Sequence, residues 1–283
     1  MRIELSEEQL LLQDTVRRFA AEVVAPRAKE IDESGVFPRE FFARAAELGL
    51  TGVAVPEQYG GAGMDVVSYC LVIEEISRAC ASSGVILSVN NSLVCDPILA
   101  FGTEEQKREF LTPLAAGEKI GCFALTEPDA GSDAAALRTT ARRDGDDYLL
   151  DGSKVFITNG LAADVAIVFA SVDHSRGHKG ITAFLVPMDT PGLTRGGHQY
   201  KLGVQASGTT ELFFENLRVP ARYRLGDEGQ GFRIAMATLD GGRIGIAAQA
   251  VGIARGAFEE ARRYARERQQ FGRAIAEFQT IQF

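Results

Sequence analysis

The spacing of apolar side chains changes character twice along the chain. In residues 1–119, Leu12, Val16, Phe19 and Val23 recur at three- and four-residue intervals, the period of an amphipathic helix. Ser6 with Gln9 ahead of that stripe is a capping box, and Thr103 with Gln106 is a second. Pro26 interrupts the first pattern or ends it. Pro38 suits a first helical position, Gly49 and Gly117 suit helix ends, and Asp65 can cap a stripe through Val72 and Ile76. "VPEQYGGAGMD" is a glycine-rich loop. Residues 1–119 are therefore expected to form an all-helical domain. Over 120–226 the apolar runs shorten. "YLLDGSKVFITN" places Asp151-Gly152 as a turn between two runs, a hairpin signal. "VAIVFASV", "ITAFLVP" and "TELFFENLRVP" continue it, and six or seven short strands predict a sandwich or β-barrel domain. Over 227–283 the helical period returns, with one long helix expected from Ile244 to Arg268, its Ala and Gly permitting close packing. Phe278, Ile281 and Phe283 continue an amphipathic pattern that calls for a partner surface.

Composition narrows the functional classes. The 283 residues carry 46% hydrophobic and 24% charged side chains, ordinary for a globular protein with an ample core. Thirty basic against 38 acidic residues give a net charge of −8, which argues against nucleic acid as the main partner. No apolar run is expected to span a membrane and no signal peptide is visible, so the expected location is cytoplasmic. Cys70, Cys80, Cys95 and Cys122 show no CxxC spacing and read as reduced, mostly buried thiols. His174, His178 and His198 lie in loop-like sequence and read as solvated residues rather than metal ligands.

The stretch "CFALTEPDAGSD" stands where helical sequence gives way to strands. Its part from Ala124 to Asp133, "ALTEPDAGSD", is expected to be too poor in apolar side chains to be core. The Thr126 hydroxyl and neighbouring backbone groups suit a planar heteroaromatic with carbonyls and ring nitrogens. Gly131 lets backbone approach a ligand closely, and Ser132 suits a phosphate oxygen or carbonyl. The same residues also suit an Asx or ST turn with capping duties.

This stretch resembles the signature of acyl-CoA dehydrogenases, and the resemblance extends over the whole chain. "VPEQYGGAGMD" resembles the family's N-terminal loop, "DGSKVFITNG" its flavin-flanking strand pair, and "TLDGGRIGIAAQAVGIARGAFEEARRYARERQQFG" its first long C-terminal helix. Within the family the chain is most similar to the short-chain, butyryl-CoA type. The resemblance implies a helical domain (1–119), a β-barrel domain (120–226) and the start of a C-terminal helical bundle (227–283), with FAD and acyl-CoA between them. Phe123, Leu125, Thr126 and Ser132, with Phe156, Ile157 and Thr158, are implied to contact the flavin. Phe156 stands where the family often has Trp; it can stack on a ring edge but donates no hydrogen bond. Ser132, Asp240, Gly241, Gly242 and Arg243 are implied to meet the acyl-CoA. Arg268 and Phe271 are implied to reach the FAD of a neighbouring subunit, which makes a homo-oligomer expected. Gln205 stands where relatives commonly carry Arg.

The implied reaction is α,β-dehydrogenation of a short- to medium-chain acyl-CoA, with electrons passed to an electron-transferring flavoprotein. It needs a carboxylate base for the α-proton and hydrogen bonds at the thioester carbonyl. The family places its Glu base beyond the position matching Phe283, or at the position matching Gly242, which has no side chain. Glu127 and Asp129 have structural roles in the family. The chain is thus expected to lack its base and to be an N-terminal fragment, a truncated reading frame or an incompletely covered protein. Two alternatives stay open: a catalytically silent FAD- and acyl-CoA-binding paralogue, and a flavoenzyme for another substrate such as a nitroalkane.

Overall fold

In the computed structural model, which describes residues 4–283, the capping residues act as their pattern implies. Helix α1 (Glu7–Phe19) opens with the Gln9 N–H donating to Ser6 Oγ at 3.2 Å and the Ser6 N–H donating to Gln9 Oε1 at 3.0 Å. Pro26 does not stop the helical path. The chain runs through one π turn and one 3-10 turn into α2 (Ala28–Ser34), which ends at Gly35 with φ of 63°. Helix α3 (Arg39–Glu47) follows Pro38. Helix α4 (Val66–Ala79) is capped by Asp65, whose Oδ1 accepts from the Ser68 N–H at 2.8 Å.

Helix α5 (Ala81–Ser88) continues through a π segment (Val89–Cys95) into α6 (Asp96–Phe101). This run is long enough to cross a membrane, but the fold encloses most of it. Ala81–Phe101 has 21 residues at a mean hydropathy of 1.4, long and apolar enough by composition, but 67% of that window is buried inside the protein. Its polar side chains serve the core. Asn91 donates to the Leu50 carbonyl and accepts from the Val53 N–H, and Asn90 donates to the Thr51 carbonyl and accepts from the Gly121 N–H. Those bonds fix the first strand against the helices. Short helices α7 (Glu104–Gln106) and α8 (Thr112–Ala115) complete this part.

Eight strands follow: β1 (Gly121–Ala124), β2 (Thr140–Asp144), β3 (Asp147–Ile157), β4 (Val165–Ser171), β5 (Ile181–Pro187), β6 (Leu193–Arg195), β7 (Thr210–Pro220) and β8 (Arg224–Leu225). Their order is β6-β7-β3-β2-β4-β5-β8, with β1 parallel to β4 off that path. Among the described residues the expected barrel does not close, because β6 and β8 stand at opposite ends and do not pair. Strands β2 and β4 join the two halves of this path through the single pair Thr140↔Ser171. The two halves fold over a shared core in which the Tyr148 and Phe184 rings lie 5.0 Å apart. Strand β4 is buried along its whole length. Ala166, Val168 and Ala170 face that inner core, while Val165, Ile167 and Phe169 face the helices, so it reads as an unbroken apolar run.

The long helix α9 spans Gly231–Glu267, starting well before the expected Ile244. Glycines let it press against α4: a Cβ at Gly252 would stand 2.3 Å from the Glu74 carbonyl oxygen, and one at Gly256 2.4 Å from that of Arg78. Beside this seam Glu75 is fully buried and accepts from Arg17 at 2.9 Å, Arg255 at 3.0 Å and Arg78 at 3.2 Å. Burial opposes the charge on Glu75, but Arg17 and Arg255 outweigh it and hold the carboxyl below its ordinary range. A small hairpin, β9 (Gln269–Gln270) and β10 (Arg273–Ala274), and a last turn, α10 (Gln279–Gln282), follow.

Candidate functional site

Strand β1 runs into a tight turn. The Glu127 N–H donates to the Ala130 carbonyl at 3.1 Å and the Ala130 N–H returns to Glu127 at 3.2 Å, so Pro128 and Asp129 form the tip. The Glu127 side chain folds inward. It accepts from the Arg138 N–H at 2.6 Å, the Thr139 N–H at 3.0 Å, the Thr139 hydroxyl, and Lys154 Nζ at 2.7 Å. Burial works against its charge, yet Lys154 and these donors hold the carboxyl below its ordinary range. Burial also pulls the Lys154 ammonium down, to about 8, with Glu127 opposing. Lys154 Nζ donates to the Leu125 carbonyl as well, at 3.1 Å.

Lys154 belongs to the far end of β3, which the Val155 N–H docks onto the Thr126 carbonyl at 2.9 Å. The pairing with β7 slips between Lys154 and Ile157, and Phe156 takes a φ of 59°. That left-handed backbone is costly for a bulky residue and turns the ring outward, 69% exposed. Leu125–Thr126 and Phe156–Thr158 thus present two strand ends side by side.

Between these ends and the helices lies a cavity of about 390 Å³, within the range of about 300–1,000 Å³ usual for small-molecule sites. Phe123, Leu125, Thr126, Gly131, Ser132 and Ala134 form one wall, and Phe156, Ile157 and Thr158 a second. Val89 and Leu93 close it from the π segment, and Met236, Leu239 and Arg243 from α9. An apolar groove of about 540 Å³ continues between the π segment and α9, sharing Val89, Leu93, Leu239 and Arg243 and adding Ser88, Ser92, Gly242 and Ile246. A Cβ at Gly242 would stand 2.8 Å from Leu93 Cδ2. The hydroxyls of Thr126, Ser132 and Thr158 have no partner among the described residues. A planar heteroaromatic bearing carbonyls and ring nitrogens fits this lining: free hydroxyls at its edge, and a Phe ring and aliphatic side chains over its faces.

The structure therefore brings Phe123, Leu125, Thr126, Ser132, Phe156, Ile157, Thr158 and Arg243 to one cavity, and Gly242 to the adjoining groove. Asp240 and Gly241 line neither. Arg268, the C-cap of α9, and Phe271, in the β9–β10 hairpin, line neither space, and Phe271 is 93% exposed at φ of 53°. Gly131 has room: an added Cβ would meet only Thr126 Cγ2 at 4.0 Å, so the glycine keeps the cavity side open rather than easing a contact within the fold. Val89, Leu93, Met236 and Leu239 were missed by motif reading, because in sequence they are ordinary helix stripes. Lys154 was missed as well. Its signal was a lysine inside an otherwise apolar strand end, four positions before Thr158.

Three family descriptions match in chain order: the N-terminal domain of acyl-CoA dehydrogenases over residues 6–118, the middle domain over 122–217 and the C-terminal domain over 229–283. The chain is 52% identical over 281 residues to the mitochondrial short-chain specific acyl-CoA dehydrogenase of Mus musculus, covering 99% of this chain and 68% of that protein. It superposes on butyryl-CoA dehydrogenase from Megasphaera elsdenii with a TM-score of 0.97 at 46% identity, covering 100% of this chain and 75% of that one. A glutaryl-CoA dehydrogenase from Mycobacterium smegmatis, solved in complex with FADH2, matches with a TM-score of 0.92 at 40% identity, covering 98% of this chain and 70% of that one. The sequence signature, the fold and these matches agree that the chain belongs to the acyl-CoA dehydrogenase family.

Proposed function

We propose that this chain binds FAD in the 390 Å³ cavity and a short-chain acyl-CoA along the adjoining groove, for α,β-dehydrogenation of the thioester. The observation that carries the reading is the set of unpartnered hydroxyls on Thr126, Ser132 and Thr158, facing a cavity that continues into an apolar groove. FAD, when bound, supplies the hydride-accepting chemistry. The chain's own residues bind, orient and exclude water. Thr126 and Thr158 would hydrogen-bond the ring, and Phe156 would pack against it. Leu93 and Leu239 keep the reacting carbons dry, which strengthens every hydrogen bond made there. Arg243 has no ion-pair partner among the described residues and lines both spaces, so it is available to an anionic or developing oxyanionic ligand. Asp240 and Gly241 serve the CoA end. Arg268 and Phe271 are assigned to the flavin of a neighbouring copy, in keeping with their exposure, and an electron-transferring flavoprotein is the acceptor.

A second reading, ligand binding without turnover, is favoured by one observation. Among the described residues no Asp or Glu lines the cavity or the groove, and Glu127 is turned away into Lys154. The visible spectrum of the purified chain, before and after anaerobic butyryl-CoA, separates the two. A flavin band that bleaches supports dehydrogenation. A band that shifts without bleaching supports binding alone. Absence of the band after incubation with FAD overturns the flavin assignment for this chain.

A further inference from the structure

We propose that Lys154 is a positioning residue that acts through the Leu125–Thr126 peptide, polarising it so that the Thr126 N–H becomes a strengthened donor to an electron-rich atom in the cavity. Three observations carry this. First, Lys154 Nζ lies 3.1 Å from the Leu125 carbonyl oxygen, and its side chain is fully buried, so that carbonyl points into the core. Second, no described peptide bond is cis, and in a trans peptide the C=O and N–H point in opposite directions. The Thr126 N–H therefore points away from the core, on the side where Thr126 lines the cavity. Third, that N–H has no backbone partner among the described residues. A cation hydrogen-bonded to the oxygen of an amide increases the positive character of its N–H, the cooperative strengthening of a hydrogen-bond chain.

The arrangement of the counter-charge fits the same purpose. Glu127 accepts from the Arg138 and Thr139 N–H groups as well as from Lys154, so the counter-charge is shared among several donors and Lys154 keeps a hydrogen bond for Leu125. Packing does not account for the pair, since buried ion pairs are often no more stabilising than apolar residues of the same volume. The acceptor chemistry is a ring nitrogen or carbonyl oxygen that gains electron density. On the flavin reading above, on which only this identity rests, the charge favours the reduced over the oxidised ring.

The test uses the full chain with the neutral pair Lys154→Met/Glu127→Gln, which leaves no buried charge unpaired, and with Lys154→Arg, which keeps the cation. Two quantities are read: the Thr126 amide proton shift by NMR, and the midpoint potential of bound FAD. The expected result is an upfield move of that amide proton in the neutral pair. A five- to tenfold loss in preference for the reduced flavin accompanies it, about 20–30 mV for a two-electron couple, and Lys154→Arg recovers both. An unmoved amide proton in the folded neutral pair overturns the proposal, as does a move that Lys154→Arg fails to reverse. If the chain takes up no FAD the flavin reading fails, and the amide proton alone decides the role of Lys154.

Discussion

Glu75 and Glu127 are both buried carboxylates held in their charged form, yet they are paired in different ways. Glu75 meets Arg17, Arg78 and Arg255, whose side chains remain 44%, 19% and 31% exposed, so each cation keeps part of its hydration. Glu127 meets Lys154, which keeps none. The first arrangement spreads charge along the seam between α4 and α9 and fastens two helices. The second seals one positive charge behind the strand end that lines the cavity. A seam tolerates wet cations. A charge meant to act on a neighbouring peptide has to be dry, because water would screen it.

The largest effect that tests this contrast is expected from Lys154→Met alone. It leaves Glu127 buried without a counter-charge and is expected to cost about 3–5 kcal/mol in a denaturant melt. The neutral pair Lys154→Met/Glu127→Gln is expected to recover most of that loss. Glu75→Gln comes next, at about 1–3 kcal/mol, because the arginines it leaves behind can turn to solvent. Equal costs for Lys154→Met and Glu75→Gln would erase the distinction between a wet and a dry pair.

Acid titration sharpens the same comparison. Both carboxyls have folded values below the ordinary glutamate value of about 4.3. For a group with a depressed folded value, the unfolded chain binds protons first as pH falls. Its stabilisation is complete above the ordinary value and is lost as pH drops through the folded one. Thermal melts between about pH 6 and pH 2.5 are therefore expected to show a shallower acid limb in Glu75→Gln and in the neutral pair than in the parent chain. An unchanged limb in either would mean that its carboxyl does not titrate with unfolding.

What could be read from sequence was local. Ser6–Gln9, Thr103–Gln106 and Asp65 are caps that depend on neighbours within a few residues, and all three form. The signature turn was legible for the same reason, since Glu127 to Ala130 closes on itself. Features set by distant pairing were not. Whether β6 and β8 close a barrel depends on strands about 30 residues apart, and no periodicity records it. Nor does any local pattern record that Asn90 and Asn91, inside the helical run Ala81–Phe101, are each satisfied by backbone from another segment. Gly241, Gly242 and Gly245 lowered the helical signal at the start of α9. Tertiary contact overrides that propensity, because a side chain at Gly242 or Gly245 would collide with Leu93 or Tyr69.

The smallest expected effect joins the seam to the site. At Gly245 an added Cβ would stand 2.1 Å from Tyr69 Oη, which is hydrogen-bonded to Ser88 Oγ at 2.9 Å. Gly245→Ala gains up to about 1 kcal/mol of helix propensity. Against this, overpacking of about 1–3 kcal/mol leaves a net loss of roughly 0–2 kcal/mol. The nearest obstacle is a hydroxyl, with the Tyr69 ring carbon at 2.9 Å and Ser88 Oγ at 3.0 Å behind it, so Tyr69→Phe in the same chain is expected to relieve part of the overpacking, and a double-mutant cycle reads the coupling directly. Ser88 also lines the groove beside the cavity. Gly245→Ala should therefore weaken acyl-CoA binding, measured calorimetrically, whereas Glu75→Gln, at the other end of the seam, should leave it close to the parent value. Weakening of binding by both to the same degree would show that α9 shifts as one body, and that the ion-paired end of the seam sets the groove as much as the glycine end does.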